Sequence, residues 1–266
     1  MTEKSTYNYL DNYLTEIQSK GRYSVTLKEL RSKFDISEKA LLQNIYRLKS
    51  KNQLAQVRKE FYVIIPPQYL NRGMVPPSLF IADMMEFLNR DYYVCLFSAA
   101  ALHGSGHQQP MEFQVMTKKP PLRNIKNQKL NMRFFTKGKW EEEQITEKKT
   151  ETGYIHISTP ELTAFDLVYY HKNIGGLNRI IPILEDLTEN MNPSQLALTA
   201  KSQKIPTIQR LGYLLDQTGN SSLAGVLSKV VSNETLKEVR LSLAHKERQG
   251  KTDKKWRVLV NTGLDF

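Results

Sequence analysis

Leu10, Tyr13, Leu14 and Ile17 recur at spacings of three and four, which lays one apolar stripe along a helix over about residues 6–19, ended by Gly21. A β-like stub follows at residues 23–25. Thr26 and Glu29 then form a T-x-x-E capping box at the head of a second, short helix with apolar positions Leu27, Leu30 and Phe34. Residues 35–37 make a turn, Ser37 is a good N-cap, and Ala40, Leu41, Ile45 and Leu48 give a third helix its inner face. Beyond Ser50 two β-rich runs, residues 54–58 and 61–65, flank Lys59-Glu60 as a hairpin, and Pro66-Pro67 stops further pairing. Three helices and a hairpin in this order predict a winged helix-turn-helix over residues 1–65.

Pro66, Pro67, Gly73, Pro76 and Pro77 crowd the next stretch and predict a linker over residues 66–77. The pattern then becomes mixed. A helix is expected over residues 79–88, a strand over 92–97, and a short helix over 98–103 stopped by Gly104. Further strands are expected over 113–116, 132–136 and 154–157, with a polar basic stretch between the first two. Thr159 as N-cap and Pro160 at the first helical position open a helix. From there to about residue 231 the chain reads as mostly helical, broken near Gly175-Gly176, Asn192-Pro193, Ile205-Pro206 and Gly219-Asn220, with Leu211, Leu214 and Leu215 on one apolar face. Residues 256–260 alternate enough for an edge strand. The expected fold class is α+β: the winged helix, a mixed α/β domain over 78–235 with a helical second half, and a basic tail over 236–266.

Composition narrows the function. No run of about 18 apolar residues exists, so no membrane span is expected. The N-terminus lacks a signal-peptide core, which predicts a cytoplasmic protein. Cys95 is the sole cysteine, which excludes an internal disulfide or a thiolate-rich metal site made by one chain. The net charge is +11, and two short segments carry it: residues 20–59 hold +8 and residues 237–257 hold +5. Such clustering is the electrostatic footprint of a nucleic-acid contact. In a helix-turn-helix the second helix of the motif enters the major groove, so the outward residues Lys39, Gln43, Asn44 and Arg47 become candidate readers of base edges. Gln and Asn can pair with adenine and Arg with guanine. Lys49, Lys51, Arg58 and Lys59 are candidates for contacts to phosphate in duplex DNA.

The chain offers no assembled catalytic site. His103 and His107 are four apart, but Gly104 and Gly106 break the helix that would align them on a metal, and His103 reads as a packed helix end. Asp166 in its apolar run reads as a structural carboxylate bonded to backbone or to His171, and Glu141-Glu142-Glu143 as a solvated loop. Gly104-x-Gly106 and Gly175-Gly176 make no phosphate cradle, Ser98 lacks a G-x-S-x-G elbow, and Cys95 lies inside an apolar run. No enzyme activity, cofactor or metal is expected.

Residues 92–104, Tyr-Tyr-Val-Cys-Leu-Phe-Ser-Ala-Ala-Ala-Leu-His-Gly, resemble the segment that opens the C-terminal domain of AbiEi-family antitoxins, and residues 157–167, Ile-Ser-Thr-Pro-Glu-Leu-Thr-Ala-Phe-Asp-Leu, resemble its second signature. The order agrees, since that family places a small winged helix ahead of this domain. Two departures stand out: the family pattern usually has Arg where Leu162 stands, and the basic tail has no counterpart in it. The resemblance implies an antitoxin of a type IV toxin–antitoxin (abortive infection) pair that represses its own operon, binds its own promoter, and opposes a nucleotidyltransferase-like toxin, directly or indirectly. On that footing the tail cations Lys237, Arg240, Lys246, Arg248, Lys251, Lys254, Lys255 and Arg257 are candidates for toxin neutralisation. The alternative is a stand-alone winged-helix regulator whose C-terminal domain senses a ligand or protein. A nuclease using carboxylates such as Asp166 stands well behind both.

Overall fold

The computed structural model describes residues 9–106, 110–244 and 249–264. The fold is α+β. Two compact units alternate along the chain: Met1–Tyr92, Thr117–Thr136 and Glu147–His156 make the first, and Tyr93–Met116, Lys137–Thr146 and Ile157–Phe266 the second.

The first unit opens with α1 (Tyr9–Ser19), β1 (Ser24–Thr26), α2 (Leu27–Lys33), α3 (Glu38–Ser50), β2 (Leu54–Arg58) and β3 (Phe61–Ile64). Thr26 and Glu29 cap α2 reciprocally, and Ser37 accepts the Ala40 N–H at the start of α3. These caps satisfy N–H groups that have no partner inside the helix. The three strands form an antiparallel sheet in the order β1-β3-β2, which leaves β2 on an edge. Leu10 and Leu14 of α1, Leu30 of α2, Leu41, Ile45 and Leu48 of α3 and Ile64 of β3 share one buried core. The linker region is ordered as short 3-10 turns at Pro67–Tyr69 and Pro77–Leu79, and α4 (Ile81–Phe87) begins two residues later than the periodicity predicts.

Next come β4 (Tyr92–Val94), α5 (Leu96–Leu102), β5 (Phe113–Thr117), β6 (Ile125–Lys126), β7 (Asn131–Thr136), β8 (Ile145–Thr150) and β9 (Gly153–Ser158). β6 and β7 pair antiparallel in the first unit, and Val94 of β4 pairs in parallel with Ile157 of β9 in the second. β4 ends three residues short of the strand expected over 92–97. Cys95 donates its N–H to the Gln114 carbonyl, and Phe97 donates to the Gln114 side chain, so a residue distant in sequence caps α5.

The second unit continues through α6 (Pro160–Tyr170), α7 (Leu177–Thr188), α8 (Pro193–Lys201), α9 (Ile205–Gln217) and α10 (Ser221–Val230). The helix breaks fall where Gly175-Gly176, Asn192-Pro193, Ile205-Pro206 and Gly219-Asn220 predict them, and Thr159 caps α6 through the Leu162 N–H. The region after α10 differs from the sequence expectation. β10 (Val239–Arg240), β11 (Lys251–Asp253) and β12 (Val258–Val260) form a small sheet with β12 in the middle, parallel to β10 and antiparallel to β11. Residues 258–260 therefore supply a central strand and not an edge strand, because β10 and β11, both earlier in sequence, pair with its two edges. Leu241, Trp256 and Val258 are fully buried, and Gly212 of α9 lies so close to the Trp256 ring that a Cβ there would sit 2.3 Å from it.

Candidate nucleic-acid interface

Leu41, Ile45 and Leu48 turn one face of α3 into the core, which leaves residues 39, 42, 43, 46 and 49 on the outer face. Lys39 and Gln43 are exposed there, as the sequence predicts. Asn44 and Arg47 are held differently. Asn44 donates through Nδ2 to the Tyr9 hydroxyl at 2.8 Å and to the Ala40 carbonyl at 3.0 Å. Arg47 donates to the Asp11 carboxylate at 3.0 Å, with both side chains about one-third exposed. Both residues tie α3 to α1. Glu38, the only acidic residue of α3, is paired with Arg31 at 2.5 Å.

The same outer face also carries Leu42 and the Tyr46 phenol, which the polar readers expected from sequence do not include. Leu42 is 44% exposed and Tyr46 71%. Helical spacing from the buried Leu41 and Ile45 could have found them.

Among the candidate phosphate contacts, Lys49, Lys51 and Lys59 are exposed, Lys49 beside the Gln56 amide at 3.2 Å. Arg58 is partly buried: it donates to the Arg123 carbonyl at 2.6 Å and lies over the Phe134 ring, and desolvation lowers its pKa. Its contacts bring residues 117–136, which carry six cations and no carboxylate, against β2 within the first unit. Lys129 donates to the Asn52 amide at 2.7 Å, just beyond the end of α3. Lys119, Arg123, Lys126 and Lys129 are exposed, while Lys118 pairs with Asp91 at 2.7 Å.

The described residues of the second basic segment and of β12 pack as a sheet against α9 rather than as a loose end. Gln209 of α9 donates to the carbonyls of Lys237 and Trp256, and Arg210 to that of Arg240. Asp216 accepts from the Trp256 indole and from Lys255, each at 2.6 Å. Lys237, Lys251, Lys254 and Arg257 stay exposed, Arg240 is partly buried, and Lys246 and Arg248 lie outside the described residues.

Asp166 is buried, and it accepts from the Tyr93 hydroxyl at 2.8 Å and from Lys137 at 2.9 Å. Its partners are these two and not His171, whose Nδ1 faces the Val168 carbonyl and whose Nε2 accepts the Leu243 N–H. Burial raises the pKa of Tyr93 and of the Cys95 thiol well above their ordinary values, so Cys95 is a protonated core residue. His103 ends α5 with Nε2 at 2.7 Å from the Ser158 carbonyl, and His107 lies outside the described residues. Glu141, Glu142 and Glu143 are exposed at a 3-10 turn. Among the described residues no group of three or more His, Cys, Asp or Glu could hold a metal, and no helix is long and apolar enough to cross a membrane.

Residues 92–217, the segment from β4 to the end of α9, match the family model of the AbiEi antitoxin C-terminal domain. The likeness covers 126 of the 266 residues. The crystal structure of the RV2827C protein from Mycobacterium tuberculosis shares the fold, with a TM-score of 0.68 at 16% identity, covering 96% of this chain and 91% of that one. No curated relative matches the sequence. Both segments that resemble the AbiEi family in sequence fall inside the matched region, and both serve structural ends. The first builds β4 and α5, and the second runs from the end of β9 into α6, where Leu162 is fully buried.

Proposed function

We propose that this AbiEi-family antitoxin is a DNA-binding repressor of its own operon that counteracts a cognate nucleotidyltransferase-like toxin. Residues 1–65 act as a winged helix-turn-helix and residues 78–235 as the antitoxin domain. The observation that carries the DNA reading is the outer face of α3, where Lys39, Gln43 and Lys49 stand clear of the core, with Lys51 and Lys59 exposed in the same module. A helix of this kind fits the major groove, and the flanking cations neutralise phosphates without reading sequence. The exposed cations of residues 117–136, held against β2, extend this basic surface. Among the described residues no assembled nucleophile, base and anion stabiliser competes with this reading.

The test is gel-shift titration of the full chain on the duplex upstream of its gene at several salt concentrations. Lys51→Ala should weaken every duplex alike and lower the salt slope by about one, and Gln43→Ala should relax base preference. Equal, salt-insensitive binding by the wild type and a Lys39/Lys49/Lys51 triple Ala variant would refute the DNA-binding role. Co-expression with the nucleotidyltransferase-like toxin tests the other half. DNA binding without rescue from that toxin would instead mark a stand-alone regulator.

A further inference from the structure

We propose that Leu42 and Tyr46 read thymine methyl groups in the major groove and give α3 a preference for A·T pairs at the positions they touch. This rests on the DNA-binding reading above and sharpens it to particular bases. Lys39, Leu42, Gln43 and Tyr46 occupy the second, fifth, sixth and ninth positions of a helix that begins at Glu38. The N-terminal part of a recognition helix meets base edges, which puts Lys39, Leu42 and Gln43 there and Tyr46 one turn further along the same outer face. Two residues with strong hydrogen-bonding readout, Asn44 and Arg47, are directed to Tyr9 and Asp11 of α1. The outward chemistry that remains is one amide, two apolar groups and lysines.

Thymine is the base that matches the apolar pair, since its C5-methyl is the apolar group a base pair presents in the major groove. Gln43, adjacent to Leu42, supplies the complementary donor and acceptor for adenine N6 and N7. Charge selects DNA over a second copy of the chain as the occupant of this face. The apolar pair sits between Lys39 and Lys49, and Glu38 is already neutralised by Arg31, so self-association through α3 would bring like charges together.

The experiment selects duplexes from a random-sequence library with the full chain, then remakes an enriched duplex with deoxyuridine replacing thymidine one position at a time. Removing a contacted methyl should weaken wild-type binding about fourfold, the value of one buried methyl-sized group. Leu42→Ala and Tyr46→Ala, both at exposed sites, should each become indifferent to the exchange at one position. Lys51→Ala should bind thymidine and deoxyuridine duplexes with the wild-type ratio at lower affinity. The proposal is overturned if the wild type ignores every exchange, or if Leu42→Ala alters the mass of the chain in solution while the ratio stays as in wild type. Failure to enrich any sequence would remove the DNA-binding reading itself. Enrichment without methyl dependence would remove only this inference.

Discussion

Asp166 is held by Tyr93 and Lys137 with its own side chain almost fully buried, and that pairing decides how its substitution behaves. Asp166→Asn leaves the Lys137 ammonium, itself only 21% exposed, without a counter-charge. Breaking a buried pair from one side costs about 3–5 kcal/mol, whereas replacing both partners by apolar groups is often neutral. Asp166→Asn should therefore melt well below the wild type, and a Tyr93→Phe/Lys137→Met/Asp166→Leu triple variant, which also removes the Tyr93 hydroxyl that Asp166 accepts, should recover most of the loss. A catalytic Asp166 would instead lose an activity at unchanged melting. His171 gives a pH-dependent counterpart. Burial lowers its pKa from the ordinary 6.5, and its two nitrogens serve the Val168 carbonyl and the Leu243 N–H, so the folded chain holds it neutral. The unfolded chain binds the proton more readily. Stability is thus complete above pH 6.5 and falls as pH drops from there toward the depressed folded value. Melting curves from pH 7.5 to 5 should show a shallower decline for His171→Asn than for the wild type, starting from a lower melting temperature at pH 7.5 because the hydrogen bonds are lost.

Gly212 on α9 tests the packing of the C-terminal sheet as an element. A methyl there would meet the Trp256 ring, which is fully buried in the turn between β11 and β12 and has little room to retreat. Gly212→Ala should cost about 1–3 kcal/mol, the usual penalty of overpacking, despite the better helix propensity of Ala. Its signature is a lower melting temperature together with altered fluorescence of the buried Trp256. Elements of this kind were the hardest to read from sequence. β10, β11 and β12 have two or three residues each, too few for a period to register, and Trp256 is buried by α9 rather than by its neighbours in sequence. After Ile145, β8 is polar throughout and shows no alternation. Elements with local determinants were legible: the Thr26–Glu29 box, Ser37, Thr159-Pro160 and Asn192-Pro193 act within four residues of themselves. The candidate interface divides the same way. Lys39 and Gln43 follow from the helical period alone, but the engagement of Asn44 and Arg47 depends on Tyr9 and Asp11, some thirty-five residues away.

At the scale of the whole molecule, the separation of DNA binding from toxin neutralisation must be tested with point variants, because the fold does not divide where the sequence would be cut. A break after residue 77 would part the N-terminal helices and hairpin from residues 117–136, which belong to the same compact unit. Removing residues from 237 onward would strip Leu241, Trp256 and Val258 from the second unit and expose the α9 face beneath them. Loss of rescue by either fragment would then report unfolding. Charge changes at exposed positions avoid this, since surface substitutions are usually within about 0.5 kcal/mol of neutral. One full-length variant carries Lys39→Ala, Lys49→Ala and Lys51→Ala, and a second carries Lys251→Glu, Lys254→Glu and Arg257→Glu, all at exposed residues. The first should lose binding to its promoter duplex yet protect cells co-expressing the toxin. The second should keep most promoter binding and the wild-type melting temperature while protection falls. Loss of protection in the first variant, with its fold intact, would place neutralisation on residues 1–65. Full protection by the second would remove the C-terminal cations from it.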